Sequence, residues 1–154
     1  MRVSIIFLLI TIILNSHSLN AATEPLSKNI YDSLIHPVFV AKCQECHGKN
    51  KNKGKLRLNS KEDFLKGGSG AGEDIVIKGN IEDSELIYRI TLPKDDDEAM
   101  PPMEDTDHYN PVTKQELDVM KAWISLGASF DLLVSDLDPA STNSALHVFK
   151  NMPN

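Results

Sequence analysis

Cys43-Gln44-Glu45-Cys46-His47 sets two thiols three residues apart with an imidazole directly behind the second. A C-x-x-C-H pentapeptide is the attachment signature of c-type haem. On one helical turn the two sulfurs lie on a common side and reach the two vinyl groups of a single porphyrin. The imidazole of His47 then reaches the iron. The same five residues have weaker readings. A structural zinc site takes four protein ligands. This chain has only two cysteines, and His36, His108 and His147 form no closely spaced pair. A thioredoxin-like pair calls for a βαβ setting, and the flanking residues read as helix with no strand ahead of them. A disulfide between residues three apart would close too small a loop to restrain the unfolded chain much.

Outward from the pentapeptide, the N-terminal residues point to export. Met1-Arg2 is a short positive start, Val3 to Leu14 is apolar apart from one Ser and one Thr, and Asn15 to Ala22 is polar with small residues. This is the shape of a secretory signal peptide, predicted over residues 1–22. The apolar run falls short of the about 20 residues a membrane helix needs. The expected location is the periplasm, with an uncleaved N-terminal anchor as the alternative. No later stretch is apolar and long enough to span, so no membrane span is expected after signal removal. Export suits a thiol-bearing haem motif, because c-type haem is attached outside the cytoplasm.

Removing residues 1–22 leaves about 132 residues, with 15 basic against 22 acidic side chains and a net charge of −7. That length predicts one domain, ample for a small core around a porphyrin. The acidic balance excludes nucleic acid as a partner. It favours redox partner proteins with a basic docking surface.

The expected elements are mostly helical. Ile30, Tyr31, Leu34, Ile35, Val38 and Phe39 follow a helical period into Cys43, with Pro37 forcing a kink or a fresh start. Gly48 is expected to stop that helix. Ser60 opens a short helix ended by Gly67-Gly68, Ile75-Val76-Ile77 reads as an extended piece, and Asp83-Ser84 caps a helix bearing Leu86, Ile87 and Ile90. Thr113-x-x-Glu116 is a capping box ahead of Leu117, Val119, Met120, Trp123 and Ile124, with Gly127 as the stop. The predicted fold is all-α, three to five helices around one covalently bound haem. The domain spans residues 23–129, followed by an appendage of unassigned role over 130–154.

An iron held by one histidine has an open face. A thioether there raises the reduction potential, a second imidazole lowers it, and an empty position binds small molecules. Met120 reads as core filling and Met152 lies near the chain end. Met100 stands in Ala99-Met100-Pro101-Pro102-Met103, where the prolines stiffen the backbone beyond it and restrict Met100 itself. Met100 is the first candidate for the sixth ligand; Met103 and His108, in the same loop, are the alternatives.

Taken together, Cys43-x-x-Cys46-His47-Gly48, Met100-Pro101-Pro102 and Leu117 through Trp123-Ile124-x-x-Gly127-Ala128 resemble class I cytochrome c. The closest likeness is to the planctomycete-type cytochrome c domain. Gly54-Lys55-Leu56-Arg57-Leu58-Asn59-Ser60 and Gly79-Asn80 to Ser84-Glu85-Leu86-Ile87 are similar, in the same order, to stretches recurring there. The resemblance covers about residues 29–129. It implies one haem c on Cys43 and Cys46, axial ligands His47 and Met100, and an electron carrier rather than an enzyme. The rival functions are a haem-c subunit or peroxidase-like component of an oxidoreductase, and a haem-based sensor of small ligands. One departure is the acidic insert Lys94-Asp95-Asp96-Asp97-Glu98 just before Met100. It reads either as a solvated loop or as a negative field that orients a basic partner. Lys55 and Arg57 are candidates to meet the haem propionates.

Overall fold

Pro37 has no amide hydrogen, and the first helical segment is rebuilt around that lack. In the computed structural model, which describes residues 24–69, 72, 75–103 and 110–152, Tyr31–Ile35 forms a wide π-type turn. The His36 N–H reaches back five residues to the Tyr31 carbonyl. Helix α1, His36–Lys42, then starts afresh with Pro37 in its first turn, where a missing donor costs nothing. The expected signal peptide, His108, and the acids Glu104, Asp105 and Asp107 lie outside the described residues.

Among the described residues four further α-helices follow: α2, Lys61–Leu65; α3, Glu85–Thr91; α4, Lys114–Ser125; and α5, Pro139–Asn151. The architecture is all-α, and β-pairing among the described residues is limited to isolated bridges. Three local expectations are corrected. Helix α1 ends at Lys42, one residue before the haem motif, so the pentapeptide occupies the turn after the helix. Residues 75–77 form no strand; Ile77 pairs only with Asn80 in a single bridge. Ser84 stands at the N-cap of α3 but does not cap it with its side chain. Its buried hydroxyl instead accepts the Ile77 N–H (2.9 Å) and donates to the Asn80 carbonyl (2.6 Å), tying the 77–84 turn to the helix start.

Helix α4 has the predicted capping box: Thr113 Oγ1 accepts the Glu116 N–H and Glu116 Oε2 accepts the Thr113 N–H (2.6 Å). Glu116 also meets Lys42 Nζ at 2.9 Å, in an ion pair largely screened from water, and Lys42 donates to the Pro111 carbonyl. The last residue of α1 is thereby pinned to the first turn of α4. Between these helices Trp123, fully buried, packs 5.7 Å from Tyr31, and its indole N–H donates to the Ser129 carbonyl. Phe39, Phe64 and Phe130 complete the aromatic centre. Pairs at such spacings add about 1 kcal/mol each beyond burial.

Residues 130–152 lie against this core. The Ile30 N–H donates to the Leu132 carbonyl, the Val134 N–H to the Lys28 carbonyl, and the Asn29 amide to the Phe130 carbonyl. Asp138 caps α5 by accepting the Ala140 and Ser141 N–H groups, with Pro139 in the first turn. Val134, Leu137, Ala145 and Val148 share the hydrophobic core of α1 and α4. No helix among the described residues is long and apolar enough to cross a membrane.

Candidate functional site

The turn after α1 carries the motif. The His47 N–H donates to the Cys43 carbonyl (2.8 Å) and the Cys46 N–H to the same oxygen (3.2 Å), so the pentapeptide makes one helix-like turn. Gly48 ends it because nothing larger fits: a Cβ there would collide with the Gln44 carbonyl oxygen. Beyond it the chain doubles back. The Gly48 N–H reaches the Lys51 carbonyl (2.7 Å), the Lys53 N–H the Cys46 carbonyl (3.0 Å), and the Leu58 N–H the His47 carbonyl (2.9 Å). The reversal needs left-handed backbone at Gly54 (φ 62°) and Lys55 (φ 57°). Ser69 clamps it by donating to the Gly54 carbonyl from both its N–H and its hydroxyl.

This hairpin fixes the imidazole. His47 Nδ1 lies 3.0 Å from the Lys53 carbonyl. A carbonyl oxygen only accepts, so Nδ1 carries the proton and Nε2 keeps its lone pair. That is the arrangement by which an outer hydrogen bond orients a metal-ligating histidine. Burial lowers the His47 pKa, against the opposing pull of the Lys53 carbonyl, which favours the neutral ring a metal requires. Burial likewise pushes the Cys43 thiol up to about 12. Both cysteines are free and partly buried.

Two cavities meet at the motif. The larger, about 260 Å³, is walled by Leu56, Leu58, Ile75 and Leu86. The smaller, about 50 Å³, is walled by Cys46, Pro101, Pro102 and Val112. Cys43, His47, Ile90 and Met100 belong to both walls. Met100 therefore borders the same space as the imidazole and the first thiol, although it is 53 residues further along the chain. Met103 is in neither wall and is 42% exposed, and Met120 is buried in the core. The polar lining of the larger cavity is sparse, with Lys53, Glu85 and Arg89 supplying its charges.

The donor set suits a porphyrin. Two free thiols, an imidazole with an available Nε2, a thioether and aliphatic walls surround one slot. Lys55 and Arg57 are exposed and outside both walls, whereas Lys53 and Arg89 line the larger cavity. Sequence reasoning passed over Arg89. Its only sequence signal was Glu85 one helical turn before it.

Residues 43–104 match the model of the planctomycete cytochrome C family. No curated protein and no solved structure matches the chain. The matched stretch is shorter than the 29–129 over which the resemblance was read; it runs through the pentapeptide and Met100 and leaves α4 and α5 outside. The chain thus carries a planctomycete-type cytochrome c domain over residues 43–104.

Proposed function

We propose that this c-type cytochrome is a monohaem electron carrier of the periplasm, its haem joined to Cys43 and Cys46 and its iron held by His47 and Met100. The observation that carries the reading is the shared border: Cys43, His47 and Met100 line both cavities of the slot. When bound, the haem supplies a one-electron ferric/ferrous couple. The chain's own residues do the rest. His47, oriented by the Lys53 carbonyl, would hold the iron through Nε2. Met100, between Ala99 and Pro101, would supply a thioether, a choice that favours the reduced state and raises the potential. Leu56, Leu58, Ile75, Leu86 and Ile90 exclude water, so charge on the metal is felt strongly and reorganisation stays small. With haem bound, the chain would take one electron from a reduced partner and give one to an oxidised partner, with no bond made or broken.

The partners are redox proteins with a basic docking surface. Asp95 and Asp96 are exposed on the loop that leads to Met100, and the whole chain is acidic. Such a field speeds encounter with a positive surface and weakens with salt.

The experiment is spectroscopic. Secreted from cells with a working c-type maturation system, the protein is expected to gain the mass of one haem. Its ferric form should show the weak red-edge absorption of a sulfur-to-iron charge transfer, lost in Met100→Ala. Colourless protein with the mass of its amino acids alone overturns the haem reading. High-spin iron that binds carbon monoxide readily in the unmutated protein replaces the carrier with a sensor or a peroxidase-like component.

A further inference from the structure

Helix α3 ends with a carbonyl that its own sequence cannot satisfy. The partner of the Arg89 carbonyl four residues on is residue 93, a proline without an N–H. That carbonyl is taken instead by the N–H of Met100, at 3.0 Å. The loop between them folds back to permit this. The Asp96 N–H donates to the Pro93 carbonyl, the Ala99 N–H to the Asp96 carbonyl, and the Glu98 N–H to Asp96 Oδ1 (2.8 Å). Glu98 is thereby returned to the side chain of Arg89. The guanidinium spans two acids: Nε to Glu85 Oε1 at 2.6 Å and Nη1 to Glu98 Oε1 at 3.3 Å, with the Glu98 carbonyl at 3.4 Å from the same Nη1. Ala99, between Glu98 and Met100, is buried. One arginine thus holds the methionine loop twice, by its backbone to Met100 itself and by its side chain two residues earlier.

We propose that Glu85, Arg89 and Glu98 form a clasp whose purpose is to position the Met100 thioether, so that the acidic run before the loop tunes how firmly the sixth position is closed. The inference rests on the His47/Met100 ligation proposed above. Arg89 and Glu98 are positioning residues, acting through Met100. A planar guanidinium presents five donors in a fixed fork and holds both carboxylates and the carbonyl in one geometry, where an ammonium offers three donors on a freely rotating head. Arg89 is partly shielded but Glu98 is mostly exposed, so each pair is worth little for global stability. A thioether–iron bond is the weaker of the two axial bonds, and a modest gain in order at the loop shows there first.

The test uses the holoprotein. Arg89→Gln is expected to raise carbon monoxide affinity of the ferrous form about fivefold, the scale of one exposed ion pair. It should also lower the potential and weaken the red-edge band, with far-ultraviolet dichroism unchanged. Glu98→Gln moves the same readouts less, Arg89→Lys falls between wild type and Arg89→Gln, and the exposed, charge-matched control Glu82→Gln moves none. Should Arg89→Gln fail to fold, Glu98→Gln with Arg89→Lys carries the test. Wild-type carbon monoxide affinity and band in both Arg89→Gln and Glu98→Gln overturns the clasp, as does a Glu82→Gln effect equal to that of Glu98→Gln. If those variants are silent while Met100→Ala abolishes the band, the clasp alone falls; a band that survives Met100→Ala removes the ligation and the clasp together.

Discussion

The two walls of the slot are held by different forces. The histidine side, residues 43–58, is a hairpin of backbone hydrogen bonds that ends in Lys53 holding the His47 ring. The methionine side, residues 85–102, is a folded loop joined back to α3 by the backbone bond from Met100 to Arg89 and by ion pairs that run through an exposed carboxylate. Backbone bonds closed within a short loop are insensitive to salt and do not depend on a charged side chain; exposed ion pairs depend on both. The difference suits a site in which one ligand must stay and the other may be adjusted. It also says where substitutions will be felt as lost protein and where as altered chemistry.

The largest break comes from the thiols. Cys43→Ala with Cys46→Ala is expected to yield protein without covalent haem, seen as the loss of one haem mass and of the Soret band after acid–acetone extraction. Retained covalent haem would put the attachment elsewhere. Next comes Gly48→Ala on the histidine side. Its Cβ would meet the Gln44 carbonyl, and the Gln44 side chain is itself tied to the Leu58 carbonyl at 2.7 Å, so the hairpin has no easy retreat. A cost of about 3 kcal/mol is expected, the upper range of overpacking. It would appear as a lower urea midpoint at an unchanged slope. A neutral Gly48→Ala would mean that the hairpin is softer than its hydrogen bonds suggest.

A third substitution sits away from both walls. Val148 of α5 is buried in the core shared with α1 and α4, and it borders neither cavity of the slot. Val148→Ala should cost about 2 kcal/mol from lost apolar burial, measured by thermal melting, while potential and spectrum stay at wild type. A changed spectrum would show that the tail reaches the iron through α4.

How much of this was legible in the sequence follows from which forces are local. The pentapeptide, the capping box at Thr113, the restart at Pro37 and the stop at Gly127 are all set by residues within a turn of one another, and each appears in the structure. Ser84 was misread because its position is that of a cap while its hydroxyl answers to Ile77 and Asn80, a tertiary choice. Helix α5 was passed over although Asp138-Pro139 is a sound start signal, because its apolar face is interrupted by Ser, Thr and Asn and only packing against α4 completes it. At the site, Cys43, Cys46 and His47 carry their meaning in their spacing. Arg89 carries none by itself. Its part depends on Pro93 removing a donor and on a loop closing eleven residues later at Met100, and neither leaves a periodic trace.

The smallest effect sharpens the comparison most. At about 1 M ionic strength the Debye length is near 3 Å, short enough to weaken the exposed Arg89–Glu98 pair. The His47 hairpin has an exposed pair of its own, Lys51–Glu45, but the bonds that hold the ring, from His47 Nδ1 to the Lys53 carbonyl and from the Lys53 N–H to the Cys46 carbonyl, carry no formal charge to screen. Raising salt from about 0.01 to 1 M should therefore raise carbon monoxide affinity of the wild-type ferrous protein by about twofold, a fraction of one exposed pair. In Arg89→Gln the same change in salt should do almost nothing, because the pair is already gone. Covalent haem content and the urea midpoint should hold through the series in both proteins. If wild type and Arg89→Gln respond to salt alike, the response belongs to the net negative charge of the whole chain and not to the loop, and the two walls differ less than their bonding indicates.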